Sequence, residues 1–318
     1  MKKILTAVMM MLVIASAVFA GGAKEGSASY TVGICQLVQH PALDAATNGF
    51  MDAIKKEMGE GAVRFLNQNA SGEITNCSTI INGFVSSGVD LIMANATAPL
   101  TTAAAATSTI PVLGTSVTDY ATALEISNFT GTVGTNVSGT SDLAPLSEQA
   151  AMIKELFPDA KKVGLLYCSA EANSVYQIEQ IEGYLAGYGI ASSRYSFTDT
   201  NDVSSVASKA ASECDVIYIP TDNTAAANTE AIANVVLPLK TPVVAGEEGI
   251  CSGCGVATLS IDYYDLGYAT GEMAVRILRD GADVSKMPVE YAPIVTKKYN
   301  KANADALNIA IPQGYVAI

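Results

Sequence analysis

Short aliphatic and β-branched runs alternate along this chain with longer stretches whose apolar residues recur every three or four positions. Positions 30–35 (YTVGIC) read as a strand. Positions 41–58 read as a helix, with Pro41 suited to its first turn and Leu43, Ala46, Phe50, Ala53 and Ile54 sharing one face. Strands at 63–67, 89–94 and 110–114 alternate with helices at 74–86 and 99–106. This βαβαβαβ order predicts a parallel sheet covered by helices on both faces.

The order then restarts. KKVGLLYCSAEANSVYQIEQIEGYLAGYGI at 161–190 repeats the plan of 30–59, CDVIYIPTDNTAA at 214 that of VDLIMANATAPLTT at 89, and TPVVAG at 241 that of IPVLG at 110. Two α/β lobes of similar plan are expected, with the glycine- and serine-rich stretch 132–142 (TVGTNVSGTSD) crossing between them. Each polar cluster follows a predicted strand, and in open parallel sheets ligands gather at the carboxyl ends of strands. Two such edges facing each other make one cleft. Helix N-termini after Ala96-Thr97 and at Glu171-Ala172-Asn173-Ser174 offer N–H groups and hydroxyls to a carboxylate, while Asp142, Glu171 and Asp222 offer a partner to an ammonium. A zwitterion such as an amino acid fits both. Any one of these residues serves equally well as a helix cap; their recurrence at equivalent strand ends favours ligand contact.

With 318 residues, 49% of them hydrophobic, the chain has material for about two domains and is not disordered. The first twenty residues have a Lys2-Lys3 start, a short apolar run and a small-residue end, the pattern of a cleaved export signal; 21–29 (GGAKEGSAS) reads as a flexible leader. Export places the protein in the periplasm or otherwise outside the cytoplasmic membrane. The formal net charge of -13 disfavours nucleic acid and anionic lipid as partners. Six cysteines in an oxidising compartment permit disulfides. Cys251 and Cys254 are close enough to close a small loop, and a structural bridge or an unpaired surface loop is favoured over redox or zinc work. Cys35, Cys77, Cys168 and Cys214 read as core filler.

Catalysis is disfavoured by composition. The chain has one histidine, His40, placed to cap a helix or touch a ligand; it lacks a G-x-S-x-G elbow and a P-loop, and the G-x-G at Gly253-Cys254-Gly255 comes too late for dinucleotide binding. No cofactor and no metal site are expected.

The segments 32–50 (VGICQLVQHPALDAATNGF), 89–99 (VDLIMANATAP), 138–145 (SGTSDLAP), 161–175 (KKVGLLYCSAEANSV), 215–224 (DVIYIPTDNT) and 260–278 (SIDYYDLGYATGEMAVRIL) together resemble the ABC transporter substrate-binding proteins of type I periplasmic-binding-protein fold, in the group that includes tryptophan and tyrosine binders. The resemblance implies an α/β architecture of two Rossmann-like lobes with parallel sheets joined by a multi-crossover hinge. It implies a monomer that encloses a small ligand, an aromatic amino acid first, by hinge closure and delivers it to a membrane permease and its cytoplasmic ATPase. Lobe 1 is then expected at 30–139 with 262–288, and lobe 2 at 140–261 with 289–318. Carried onto matching positions, the pocket comprises Gln36, His40, Thr97, Ser116 and Asp119 from the first lobe and Asp142, Glu171, Asn173, Ser174, Asp222 and Asn223 from the second, with Glu247 and Asp262 at its margin. Tyr167, Tyr176, Tyr263, Tyr264 and Phe129 are available to stack on a flat ligand. The GICSGCG segment departs from the family's usual loop. Sensing for a chemoreceptor or kinase is the alternative reading, and a secreted α/β enzyme the third.

Overall fold

The strands that read as unbroken apolar runs are the buried centres of two sheets. A computed structural model describes residues 29–292 and 294–318; the expected export signal and, Ser29 apart, the leader lie outside the described residues. The first sheet is built from β1 (Tyr30–Gln36), β2 (Val63–Asn69), β3 (Leu91–Asn95), β4 (Val112–Val117) and β5 (Val137–Ser141). Helices α1 (Pro41–Met58), α2 (Ile74–Ser87), α3 (Thr97–Ala106) and the short α4 (Tyr120–Ala123) alternate with them. The second half follows with α5 (Leu146–Leu156), β6 (Lys162–Cys168), α6 (Ala172–Gly187), β7 (Ala191–Phe197), α7 (Val203–Glu213) and β8 (Val216–Ile219). It continues through α8 (Asn223–Ala227), α9 (Thr229–Val236), β9 (Val243–Ala245), α10 (Glu248–Gly253) and β10 (Ala257–Ser260). The chain ends in α11 (Tyr263–Leu278), β11 (Glu290–Tyr291), β12 (Thr296–Tyr299), α12 (Lys301–Leu307) and β13 (Val316–Ala317).

The internal repeat is visible in the strand orders. The first sheet runs β11-β5-β4-β3-β1-β2 and the second β13-β12-β10-β9-β8-β6-β7, so β1 to β5 and β6 to β10 occupy equivalent places. All pairings are parallel except β10 with β12. Each sheet is covered on both faces, as parallel sheets require. In the first, Val32, Ile34 and Met93 pack under α1 and α11, while Cys35, Ile92 and Ala94 pack under α2 and α3. In the second, Ile217 and Ile219 face α7 and α9, and Val216 and Tyr218 face α5 and α6. No described helix is long and apolar enough to cross a membrane.

Helix α11 lies against α1 with almost no spacing. A Cβ at Gly267 would overlap the Ala46 carbonyl, and one at Gly49 would overlap the Tyr264 carbonyl, so glycine is required on both helices for this approach. The chain crossings differ in detail from the expected boundaries. Of the segment 132–142, residues Val137–Ser141 form β5 inside the first sheet, so the first crossing follows at Asp142 rather than after 139. Glu290 and Tyr291 pair with Thr140 and Ser141, which keeps the chain in the first sheet past the expected crossing at 288. Cys251 and Cys254 differ too: both are buried free thiols on and at the end of α10, because Glu247 caps this segment into a helical turn packed on the second core.

Candidate functional site

The carboxyl ends of β1 and β4 face those of β6, β8 and β9 across a small chamber. Its walls include His40, Ser116 and Thr118 from the first sheet's loops, Asn173, Thr221, Asp222, Asn223 and Glu247 from the second's, and Asp142 and Tyr263 from two crossing segments. The chamber measures about 10 Å³, room for roughly one water.

Local backbone features aim these groups. The register between β4 and β5 shifts between Gly114 and Val117, a bulge that turns Ser116 out of the ladder. Ser116 takes φ 54°, in the left-handed region, and its buried Oγ has no partner. Ala96, where β3 hands over to α3, has φ 102°, a conformation that favours glycine. Two such non-glycine residues at the tips of adjacent strands mark this edge as a place where strain is held by the surrounding structure.

Asp142 is 4% exposed, and its Oδ2 accepts from the Tyr263 hydroxyl at 2.9 Å while Oδ1 has no partner. Burial pushes this carboxyl up, opposed by the Tyr263 hydrogen bond. Glu247 caps α10 by accepting from the amides of Gly249 at 2.6 Å and Ile250 at 2.5 Å, yet burial still pushes it to about 7. Asp222 caps α8 through Ala225 N–H at 2.7 Å and ties down the end of β6 through Cys168 N–H at 2.6 Å and the Ser174 hydroxyl at 2.8 Å. Burial, with repulsion from Glu171, pushes it up to about 8. Three buried carboxyl groups thus share a chamber that no lysine or arginine lines among the described residues. A guest carrying positive charge relieves their desolvation; an unaccompanied anion adds to it.

His40 spans the gap. Its Nε2 lies 3.3 Å from Asn223 Oδ1. The Asn223 amide is oriented by its Nδ2, which donates to Glu171 Oε2 at 2.7 Å, so Oδ1 faces the ring and Nε2 carries the proton. Nδ1 is then an acceptor, and it has no partner. Burial lowers the pKa of this histidine, against the pull of Asn223, Glu171 and Asp44.

Two larger cavities flank the chamber. One, of about 460 Å³, shares Asn173 and Asn223 with it and reaches the α2, α3 and α6 N-termini. The other, of about 340 Å³, shares Glu247 and Tyr263 with it and is bounded by the start of α1, the start of α10 and Ile318.

The family model described as ABC transporter substrate binding protein matches residues 31–317. The chain belongs to this family. It is 35% identical over 260 residues to a tyrosine-binding protein of Clostridioides difficile, covering 81% of this chain and 75% of that one. Among solved structures it is similar to an ABC domain in complex with L-Trp from Streptococcus pneumoniae, with a TM-score of 0.86, 31% identity, and 91% of this chain and 99% of that chain covered. A ligand-free, open structure of a substrate-binding protein with adhesive properties from Clostridium difficile has a TM-score of 0.70 at 34% identity, with the same coverage. The two α/β lobes are those of the type I periplasmic-binding-protein fold.

In this substrate-binding protein the structure gathers His40, Ser116, Asp142, Asn173, Asp222, Asn223 and Glu247 around the chamber, and sets Thr97 and Glu171 on the wall of the 460 Å³ cavity. Four expected residues turn elsewhere. Gln36 is consumed inside the first lobe, donating to Asp44 at 2.7 Å and to the Val38 carbonyl at 2.9 Å and accepting from Thr47 at 2.7 Å. Asp119 caps α4 through Thr122 N–H. Ser174 is fully buried and spends its hydroxyl on Asp222. Asp262 is an exposed cap on α11, outside the chamber and on the wall of the 340 Å³ cavity. Of the aromatic residues, Tyr263 alone among the described residues lines the chamber, its hydroxyl spent on Asp142; Tyr264 lines the 340 Å³ cavity, while Tyr167 and Phe129 pack in the cores. Thr118, Thr221, Leu43 and Ala226 complete the walls. Thr118 and Thr221 sit in the same strand-end clusters as their chosen neighbours, a signal that position alone could have supplied.

Proposed function

We propose that this protein is the extracytoplasmic solute-binding component of an importer, gripping an amino acid, an aromatic one first, between its lobes and delivering it to a membrane permease driven by a cytoplasmic ATPase. One observation carries the reading: Ser116 Oγ, Asp142 Oδ1 and His40 Nδ1 are buried, unpartnered and gathered around one chamber between the two sheets. Buried polar atoms without partners are rare and costly, so three at one place point to a guest that supplies the missing bonds. The ammonium of an amino acid pairs with Asp142 and Glu247. The unpartnered Ser116 hydroxyl offers a donor to its carboxylate.

The chamber as it stands is too small for such a guest, so binding requires the lobes to part and to close again less tightly, around the ligand. A ligand that touches both lobes only when they are closed biases the hinge by that differential contact. The relatives support the choice of ligand, since one is named for tyrosine and another was solved with L-Trp. The higher TM-score to the L-Trp complex than to the open structure supports a closed arrangement here.

Isothermal titration with L-tyrosine and L-tryptophan, alongside Asp142→Asn and Ser116→Ala, tests the reading. Saturable binding that both substitutions weaken is expected. Failure to bind any of the common amino acids would overturn it.

A further inference from the structure

We infer that Cys35 and Cys77 form a dithiol that oxidises to a disulfide, bracing strand β1 against helix α2 inside the first lobe. The inference is independent of which ligand the cleft holds.

Cys35 is the penultimate residue of β1, and Cys77 stands in the first turn of α2, its N–H donating to the Glu73 carbonyl at 3.1 Å. Both are free thiols, 0% exposed, and share one core. The two thiols hydrogen-bond to each other, with Cys35 as donor: that bond holds Cys77 below its ordinary value against its burial, and the bond with burial pushes Cys35 up. Sulfur therefore meets sulfur across the strand and the helix. The other cysteines are arranged differently. Cys168 donates to the Thr198 carbonyl at 3.5 Å and Cys214 to the Tyr195 hydroxyl at 3.4 Å. Cys254, the neighbour of Cys251, turns back to the Ile250 carbonyl at 3.4 Å.

A fold that holds two thiols in contact raises their effective concentration for one another, and the bond they form stabilises the fold in return by restricting the unfolded chain. The loop closed here is about 40 residues long, enough for that restriction to count. The oxidant required is a disulfide, of small-molecule or protein origin. One cysteine thiolate attacks a sulfur of that disulfide and expels a thiolate; the second cysteine, deprotonated, attacks the mixed disulfide at the protein sulfur and expels the other thiolate. Two thiol protons and two electrons leave the protein, and the oxidant becomes two thiols. Because both sulfurs are closed off from solvent once the lobe is folded, the exchange takes place as it folds. The first twenty residues read as an export signal, and outside the cytoplasmic membrane such a bond persists. Its place bears on the cleft: β1 leads to His40 on the chamber wall, and α2 starts with Ile74 and Thr75 on the wall of the 460 Å³ cavity.

The test refolds the reduced, full chain from urea in a buffer of reduced and oxidised glutathione, traps remaining thiols by alkylation after an acid quench, and maps the peptides by mass spectrometry. Wild type is expected to lose about 2 Da, to yield a linked pair of peptides containing Cys35 and Cys77, and to carry label on its other cysteines. The oxidised protein is expected to unfold at a higher urea concentration than the reduced one, and Cys35→Ala, which keeps the core apolar, should abolish that difference. Label on all six cysteines overturns the inference. So does a bridge between Cys251 and Cys254 in place of the expected one, or an oxidised protein whose urea midpoint is no higher than that of the reduced form.

Discussion

The Tyr263 hydroxyl donates to Asp142 Oδ2 at 2.9 Å, joining two of the segments by which the chain passes between lobes. This bond fixes the carboxylate so that Oδ1 is left for the chamber. Tyr263→Phe removes it without changing the shape of the wall. Ligand affinity is expected to fall by about 1.5–3 kcal/mol, the worth of a hydrogen bond to a charged group. Titration calorimetry checks this, and unchanged affinity would remove Asp142 from the ammonium site.

His40 and Asn223 form a hydrogen bond between the lobes. His40→Ala should shift the free protein toward open conformations by about 0.5–1.5 kcal/mol, the net value of one neutral hydrogen bond. Small-angle scattering of the free protein is the measurement: a larger radius of gyration in the variant is expected, and identical curves would show that the contact does not hold the lobes.

Asp222 accepts from Cys168 N–H, Ser174 and Ala225 N–H, and its loss leaves these donors unpaired in the interior. Asp222→Ala is expected to destabilise the free protein by about 1–3 kcal/mol for each donor left without a partner, and to weaken ligand binding by roughly 2 kcal/mol or more. Urea unfolding without ligand separates the two effects. A variant that weakens binding and keeps full stability would make Asp222 a ligand contact alone.

The folded-state pKa values of about 8 for Asp222 and about 7 for Glu247 lie above those of the unfolded chain, because burial favours the neutral acids. The folded state therefore binds the extra protons. The stability they contribute is full below the unfolded values near 4 and is lost as pH rises through about 7 and 8. An ammonium in the chamber reverses the preference and draws out protons. At pH 7, titrations in buffers of differing ionisation enthalpy should report release of on the order of one proton per ligand bound. Buffer-independent enthalpy would contradict this.

The contact of α1 with α11 leaves no room for a methyl group at Gly267. Gly267→Ala should cost about 1–3 kcal/mol by overpacking, read as a lower urea midpoint. A neutral result would mean that the two helices separate easily.

Much of this architecture was legible because parallel strands buried on both faces carry unbroken apolar runs, as at Val32 to Cys35 and Leu91 to Ala94. Strand β5 was not legible. Its residues Ser138, Thr140 and Ser141 look like a linker, yet all are buried: the Thr140 hydroxyl meets that of Thr270 at 2.8 Å, Ser138 donates to the Met287 carbonyl at 3.0 Å, and Ser141 to that of Thr118 at 2.8 Å. Those partners lie far along the chain, beyond the reach of any local pattern. The same reason separates Asn173, which faces the chamber, from its neighbour Ser174, which faces Asp222. Both stand in the first turn of α6, and only the tertiary arrangement decides which way each points. For Cys251 and Cys254 the glycines suggested a turn, and the cap from Glu247 made a helix instead.

Because β11 and α11 come from the far end of the chain but complete the first sheet and cover Phe50 and Met93, the amino-terminal half stays unfinished until nearly the whole polypeptide has emerged. A fragment ending near residue 260 would hold the strands β1 to β5 and expose the surface that α11 hides. The second sheet is in the same position: its strands β6 to β10 are present by then, but β12 and β13 follow only at Thr296–Tyr299 and Val316–Ala317, so both sheets are finished by the segment after residue 260.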